Sequence, residues 1–393
     1  MRTYYIDPLM GDDRSGGLSA DSPLKNHHQL SLEPGDILLF KCGSFYRGQL
    51  KITGGSEEAP ITYGSYGEGP KPVFCGSVDL SREEDWENAG GSLWHVTRKI
   101  DGDVGNFVLD GECTATLRAS REELVGQGDF WDSRQSDYER QRPLAPQEIL
   151  MYSEKNPAVC YKRIECVPYG TRVLGWLKSH IVIENLCFMN SGVHALAGTG
   201  RDIIIRGCSF QNIGGCMWDK NLRIRFGNGV ELWQYGDDIL VENCDFKNVY
   251  DSCVTHQGPG DETIPTRNFI CRNNRFDTYG MAAFEYRDKL PIDSEFTGNV
   301  CLNAGCGFAM LGEELPRKSE IWPQPMGHHI FPWRIEKPTE GGKLLISGNR
   351  FGSAPVGAAV YSIISPEAEA QITLKDNIYE GEQMIRIHSE TLK

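Results

Sequence analysis

Apolar residues in this chain fall in short runs, and helix-period stripes are scarce. One phrase recurs: a β-branched or apolar run, then Asn or Gly, then Cys or an aromatic. It reads Ile181-Val182-Ile183-Glu184-Asn185-Leu186-Cys187-Phe188 and returns as Ile203-Ile204-Ile205-Arg206-Gly207-Cys208-Ser209-Phe210 and Ile239-Leu240-Val241-Glu242-Asn243-Cys244-Asp245-Phe246. Later copies end at Phe276, Cys301, Phe351 and Tyr379. The closest copies are 22 residues apart, and the others are separated by variable insertions. A fixed short coil with variable loops is the signature of a solenoid. The Asn or Gly marks a bend, because left-handed backbone geometry is cheap for those two types. A propeller would need evenly spaced blades of about 40 residues. The predicted fold is therefore all-β: a right-handed parallel β-helix with an inserted lobe and long loops over one face.

Three segments follow from the rhythm. Residues 1–100 form the N-terminal cap and first coils. Residues 101–176 break the pattern and read as an inserted lobe, with a short helix near Ser120–Val125 capped by Ser120 and Glu123. Residues 177–393 are the coils expected to carry the site. A Pro-rich stretch, Glu313–Thr339, reads as a second long loop, and long loops on a solenoid tend to sit over its binding face.

Charge and composition narrow the function classes. With 40 Lys and Arg against 54 Asp and Glu the formal charge is −14, which argues against nucleic acid as a partner. No run of about 18 apolar residues exists, so no membrane helix is expected. The 13 Cys are odd in number, lack a CxxC pair and sit mostly in strand-like runs, so buried free thiols are expected rather than a zinc site. With no apolar signal region after Met1, a cytoplasmic location is expected. Asp12-Asp13 near Asp7 offers oxygen ligands for calcium, but no calcium-loop motif accompanies it, so an acidic cap loop is the expected reading and no cofactor or metal is assigned. Oligomeric state is left open.

The opening Tyr4-Tyr5-Ile6-Asp7-Pro8, with Gly11-Asp12-Asp13 and Gly17-Leu18-Ser19, resembles the N-terminal cap of carbohydrate-active right-handed β-helix proteins. So does Pro34-Gly35-Asp36-Ile37-Leu38-Leu39-Phe40 followed by Ala59-Pro60-Ile61-Thr62-Tyr63-Gly64-Ser65-Tyr66-Gly67. The inserted Gln127-Gly128-Asp129-Phe130-Trp131, with Tyr152-Ser153-Glu154-Lys155-Asn156-Pro157, is similar to a bacterial branch of that superfamily, itself like β-helix glycoside hydrolases acting on side-chain sugars such as fucose or xylose. The resemblance implies the fold and a carbohydrate substrate. The reaction has to come from the site, because β-helices host hydrolases, lyases and epimerases.

Stacked coils put equivalent positions roughly 4.8 Å apart. Aligning Gly192–Leu196, Gly229–Trp233, Ser252–His256 and Met281–Glu285 with period two predicts two outward rows: His194, Glu231, Val254 and Ala283 in one, Leu196, Trp233, His256 and Glu285 in the other. Asp251 lies just before its strand, where a turn-former is the bland reading. Arg225, Gln257, Tyr286 and Arg287 flank the cluster, and Trp218 and Asp219 start a nearby loop. His328-His329 and Trp333 lie in the Pro-rich loop and would cover the cleft.

Glycoside hydrolysis needs a raised carboxylic acid and a second carboxylate. Glu285 is the expected acid, in apolar surroundings from Phe284, Tyr286 and Trp233. Asp251 is the expected base or nucleophile, with Glu231 as substitute. His194, His256, Gln257, Trp218, Asp219, Arg225, Trp233, Tyr286 and Arg287 are expected to bind an oligosaccharide. The runner-up is a uronate lyase, with Arg225 and Arg287 neutralising a carboxylate and His256 or Tyr286 as base. A non-catalytic carbohydrate-binding solenoid is the third reading.

Overall fold

The computed structural model describes residues 1–112, 114–135, 146–170, 172–219, 224–258, 260–307, 326–380 and 385–388. The recurring phrase is a strand, a bend and a second strand. The runs before the bend stack as parallel strands Ile181–Glu184, the ends of His194–Arg206 and Val230–Glu242, then Arg267–Arg272, Ser294–Thr297, Leu344–Ser347 and Ile372–Lys375. The runs after it stack as a second parallel sheet from Cys187–Ser191 to Ile378–Tyr379. A third parallel face runs through Val173–Leu177, the starts of His194–Arg206 and Val230–Glu242, then Ser252–Gln257, Ala282–Arg287, His328–Ile335 and Gly357–Ile364. The chain is a parallel β-helix.

The bend residues behave as their chemistry requires. Asn185, Gly207, Asn243, Asn273, Gly298, Gly348 and Asp376 all take φ between 54° and 66°, the left-handed region open to Gly and, among other residues, most readily to Asn and Asp. Three residues on, the aromatic side chains face inward and stack. Ring centroids are 5.8 Å apart for Phe74–Phe188, 5.6 Å for Phe188–Phe210, 4.4 Å for Phe210–Phe246 and 4.9 Å for Phe246–Phe276. Such pairs add about 0.5–1.5 kcal/mol each beyond area burial. In the later coils, buried Asn274, Asn299 and Asn349 donate from Nδ2 to the next side-chain oxygen in the series, ending on Asn377, and to the carbonyls of Val241, Cys271 and Phe296. This ladder satisfies polar groups that burial would otherwise penalise.

The lobe begins earlier than the rhythm suggested. Val78–Asp79, Ile164–Pro168 and Val104–Leu109 form an antiparallel sheet. Trp86–Gly90, Leu93–Val96, Ile149–Tyr152, Asp129–Asp132 and Thr116–Leu117 form a mostly antiparallel one, in which only Thr116–Leu117 pairs in parallel with its neighbour. They share a core of their own, including Leu80, Trp86, Phe107, Phe130 and Met151. Antiparallel strands lack the Asn/Gly phrase, so nothing in the repeat marked their start. The helix expected near Ser120 is a single 3₁₀ turn, Arg121–Glu123. Ser120 makes no side-chain cap, and the Glu123 carboxylate instead accepts from the Ala119 N–H at 3.1 Å. Of the Pro-rich stretch, 313–325 lies outside the described residues, while His328–Ile335 is a strand of the solenoid and no loop. The cap aspartates are turn-formers: Asp7 accepts from Leu9 and Met10 N–H, and Asp12 pairs with Arg14. All twelve cysteines among the described residues are free; Cys113 lies outside them.

Lobe and solenoid meet over buried carboxylates. Asp103 accepts from the Met217 N–H at 2.9 Å, and Asp132 from Val104 N–H at 2.8 Å and Gln147 Nε2 at 2.9 Å. Burial pushes Asp103 up to about 7 and Asp132 up to about 6, and the charge of Asp132 adds to the rise at Asp103. A carboxyl raised on folding favours the native state only while protonated. Its contribution is complete below the unfolded value near 4 and is lost as pH climbs through about 7. Asp103→Asn keeps an oxygen for Met217 and cannot ionise. It should be more stable than the parent by up to about 4 kcal/mol at pH 8, at about 1.4 kcal/mol for each pH unit between the unfolded value and about 7, and little different at pH 4. Paired denaturant titrations at the two pH values check this; an equal effect at both would contradict it.

Candidate functional site

The third face carries the site. Its strands begin with an outward column of Asn228, Ser252, Ala282 and His328, followed by inward residues such as Val230, Val254, Phe284 and Ile330. The next outward column is Trp176, Ala197, Glu231, Thr255, Glu285 and Phe331, each paired in register with the next. Then comes an inward column of Leu232, His256 and Tyr286, and an outward one containing Trp233, Gln257, Arg287 and Trp333.

This register corrects the expected one. Glu285 pairs with Thr255 and not with His256, and His256 pairs with Tyr286 inside the solenoid. His256 is fully buried, 5.6 Å from the Tyr286 ring, and burial drives its pKa down to about 4, against a raising contact with the Gln234 backbone. Tyr286 shares a hydrogen bond with Thr266 Oγ1 at 3.0 Å. Neither can touch a sugar. Arg225 is buried too: its guanidinium donates to the carbonyls of Gly215 and Gly105 and covers the Tyr250 ring at 4.6 Å. Asp251 takes the turn reading, accepting from the Gly227 N–H at 3.1 Å at a coil corner. There Gly227 sits at φ 141°, so close to Gly214 that an added Cβ would lie 2.2 Å from its Cα. Trp218 is exposed on the hairpin formed by Cys216–Asp219 and Ile224–Phe226, and the Asp219 side chain lies outside the described residues.

Glu231 and Glu285 occupy one column two coils apart, a backbone separation of roughly 9.6 Å. Both are buried, at 3% and 2% exposure, yet their environments differ. Glu231 Oε2 is 2.8 Å from His194 Nδ1 and 3.4 Å from Asn228 Nδ2. The Asn228 N–H also approaches Nδ1 at 3.1 Å. One nitrogen cannot donate to the first and accept from the second, and the shorter, charge-assisted contact dominates. Burial raises the Glu231 pKa, but His194 and Asn228 outweigh it and hold the carboxyl below its usual range. Glu285 accepts from Trp333 Nε1 at 2.7 Å and Ser252 Oγ at 2.9 Å. Here burial wins over Arg287 and these donors, and the carboxyl is raised. Ser252 and Asn228 were missed by sequence reasoning, and Trp333, expected in a covering loop, lies instead on the strand His328–Ile335; a correct register for the third face would have placed all three.

Beside these columns lies a cleft of about 660 Å³, lined by Trp176, Lys178, Ser179, Thr199, Trp233 and Arg287 among others. Trp176 and Trp233 are 39% and 44% exposed. Arg287 donates to the Gly258 carbonyl at 3.2 Å, rests 5.1 Å from the Trp333 ring centroid and acts electrostatically on both glutamates. It joins cleft to carboxylates. Gln257, half-buried, pairs in register with Trp233 but does not line the cleft.

No family model matches the sequence. Among curated proteins, the lacto-N-biosidase of Bifidobacterium longum subsp. longum is 31% identical over 125 residues, which is 29% of this chain and 7% of that enzyme. Among solved structures, XylC in complex with xylose superposes with a TM-score of 0.52 at 13% identity, over 91% of this chain and 60% of that one. The chain shares the parallel β-helix fold of carbohydrate-active enzymes. A lacto-N-biosidase from Eubacterium ramulus covers 98% of this β-helix and 68% of its own chain, with a TM-score of 0.49 and 14% identity. The β-helix thus spans less than two thirds of XylC and a small fraction of the Bifidobacterium enzyme.

Proposed function

We propose that the chain is a glycoside hydrolase cleaving a short oligosaccharide or a glycan side chain, with Glu285 as general acid and Glu231 as base. The observation that carries this is the pair itself: two carboxyls in one column whose surroundings push them in opposite directions, the arrangement that assigns acid and base roles. Raised Glu285 keeps a proton to give to the leaving oxygen. Glu231, held ionised and oriented by His194, takes a proton from water. Exposed Trp233 and Trp176 supply stacking platforms for sugar rings.

A separation of roughly 9.6 Å at the backbone suits the wider of the two carboxylate spacings, about 6.5–9.5 Å, which leaves room for a water and inverts the anomeric centre. The product released first should carry the opposite anomeric configuration to the substrate. Proton NMR of a fresh digest checks this, and retention would remove Glu231 from the base role.

One observation favours a second reading. The cleft presents Lys178 and Arg287, the cationic groups that a uronate lyase uses to neutralise a carboxylate before β-elimination. A screen on aryl glycosides and uronate oligosaccharides separates the two: phenol or reducing ends without ultraviolet-absorbing product support hydrolysis, and unsaturated product supports elimination.

A further inference from the structure

The lining of the cleft is at odds with the chain around it. The protein as a whole has an excess of 14 negative charges, yet among the described residues lining the cleft there are two cations, Lys178 and Arg287, and no aspartate or glutamate. Arg287 is partly spoken for, by the Gly258 carbonyl and by Asp288 at 3.5 Å. Lys178 is exposed and forms no ion pair with any described residue. It follows Trp176 by two residues, just past the end of the strand Val173–Leu177.

Trp176 shares the column of the two glutamates. It pairs with Ala197, which pairs with Glu231, so the indole stands two coils, roughly 9.6 Å, below the carboxylate. Ala197 between them is too small to fill the gap. The midpoint of Glu231 and Glu285 lies one coil further on, at Thr255, so a sugar ring on Trp176 sits three coils, roughly 14 Å, from the bond they cleave, a few sugar residues along the ligand. Beside it Lys178 supplies a positive charge, and Ser179, whose Oγ accepts from the Arg201 N–H at 3.2 Å, keeps its hydroxyl proton to donate.

We infer that this end of the cleft recognises a carboxylated sugar: its ring stacks on Trp176 and its carboxylate meets Lys178 and Ser179, a few residues removed from the cleavage point. The inference rests on the cleft being the substrate site, and deepens that reading by naming the charge of the ligand. Placing the acidic group there keeps it away from ionised Glu231, which would repel it.

The test is binding rather than turnover, so it stays readable whether or not the catalytic assignment holds. Tryptophan fluorescence of the full chain carrying Glu285→Gln would be titrated with trigalacturonic acid and its methyl ester, and in a second arm with a sialylated lactose and lactose. In one arm the acid should bind at least about tenfold tighter than its neutral counterpart, and the preference should shrink with salt, because Lys178 is exposed to screening. The arm that responds distinguishes a uronate from a sialic-acid ligand. Lys178→Met should abolish the preference and Lys178→Arg should keep it. Equal affinity for charged and neutral forms in both arms, no binding in either, or a preference that survives Lys178→Met would overturn the proposal.

Discussion

Glu285→Gln should lose at least about a hundredfold in turnover of a substrate with a poor leaving group, the usual scale for removing a general acid. The substitution keeps the size of the side chain and one oxygen for Trp333 Nε1 or Ser252 Oγ, which donate to the native carboxyl at 2.7 and 2.9 Å. What it removes is the proton. An aryl glycoside needs little protonation of its leaving oxygen, so it should suffer much less. Glu231→Gln should depress both substrates alike, because water must be activated whatever leaves. The pH profile offers a second readout. The parent should lose activity on the acid side as Glu231 protonates and on the alkaline side as raised Glu285 ionises; Glu285→Gln should flatten the alkaline limb. Near-normal turnover of a natural oligosaccharide by Glu285→Gln would sink the assignment.

The second large effect is expected far from the carboxylates. Phe246→Ala should cost about 3–5 kcal/mol of stability, the range for deleting a buried aromatic and leaving a cavity. Phe246 stacks on Phe210 and Phe276 on either side, so both neighbours lose a partner. Its ring also lies under Gly229, where an added Cβ would meet Phe246 carbons at 2.8 and 2.9 Å. Gly229 is two residues from Glu231, so the void should loosen the base as well as the core. A thermal melt and a kinetic assay below the transition check both halves. Phe246→Leu, which refills most of the void, should recover most of the loss; an unchanged melt for Phe246→Ala would mean the ladder is not a cooperative core.

The coil phrase was legible because its chemistry is local. Asn, Gly or Asp is needed where φ is positive, and an aromatic three residues later, or once Cys301, fills the interior, so the phrase recurs from coil to coil. The third face was less legible because its strands do not alternate strictly. Cys253 and Val254 both belong to the core, as do Ala283 and Phe284. Counting inward positions from Cys253 therefore put Thr255 inside and His256 outside, the reverse of the structure. The true register is hard to reach from sequence because it buries charged and titratable groups, which cost free energy unless they are partnered. The protein does bury Glu231 and Glu285, and gives each its own donors. His256 tolerates the interior because burial keeps it neutral. Trp176 and Lys178 escaped notice for a different reason: the strand Val173–Leu177 adjoins the lobe, and its outward residues mean nothing until it is paired with His194–Arg206.

Thr255 stands between the two glutamates, and its place has a consequence for stereochemistry. In a solenoid the spacing of groups in one column can change only by whole coils, in steps of roughly 4.8 Å. One step is close to the 5–5.5 Å at which paired carboxyls retain configuration, and two steps approach the wider spacing at which they invert it. On this scaffold the anomeric outcome is a small integer. It is set by how many strands separate two acids, and a carboxylate gained at the middle position and lost at either end would switch it without moving the backbone.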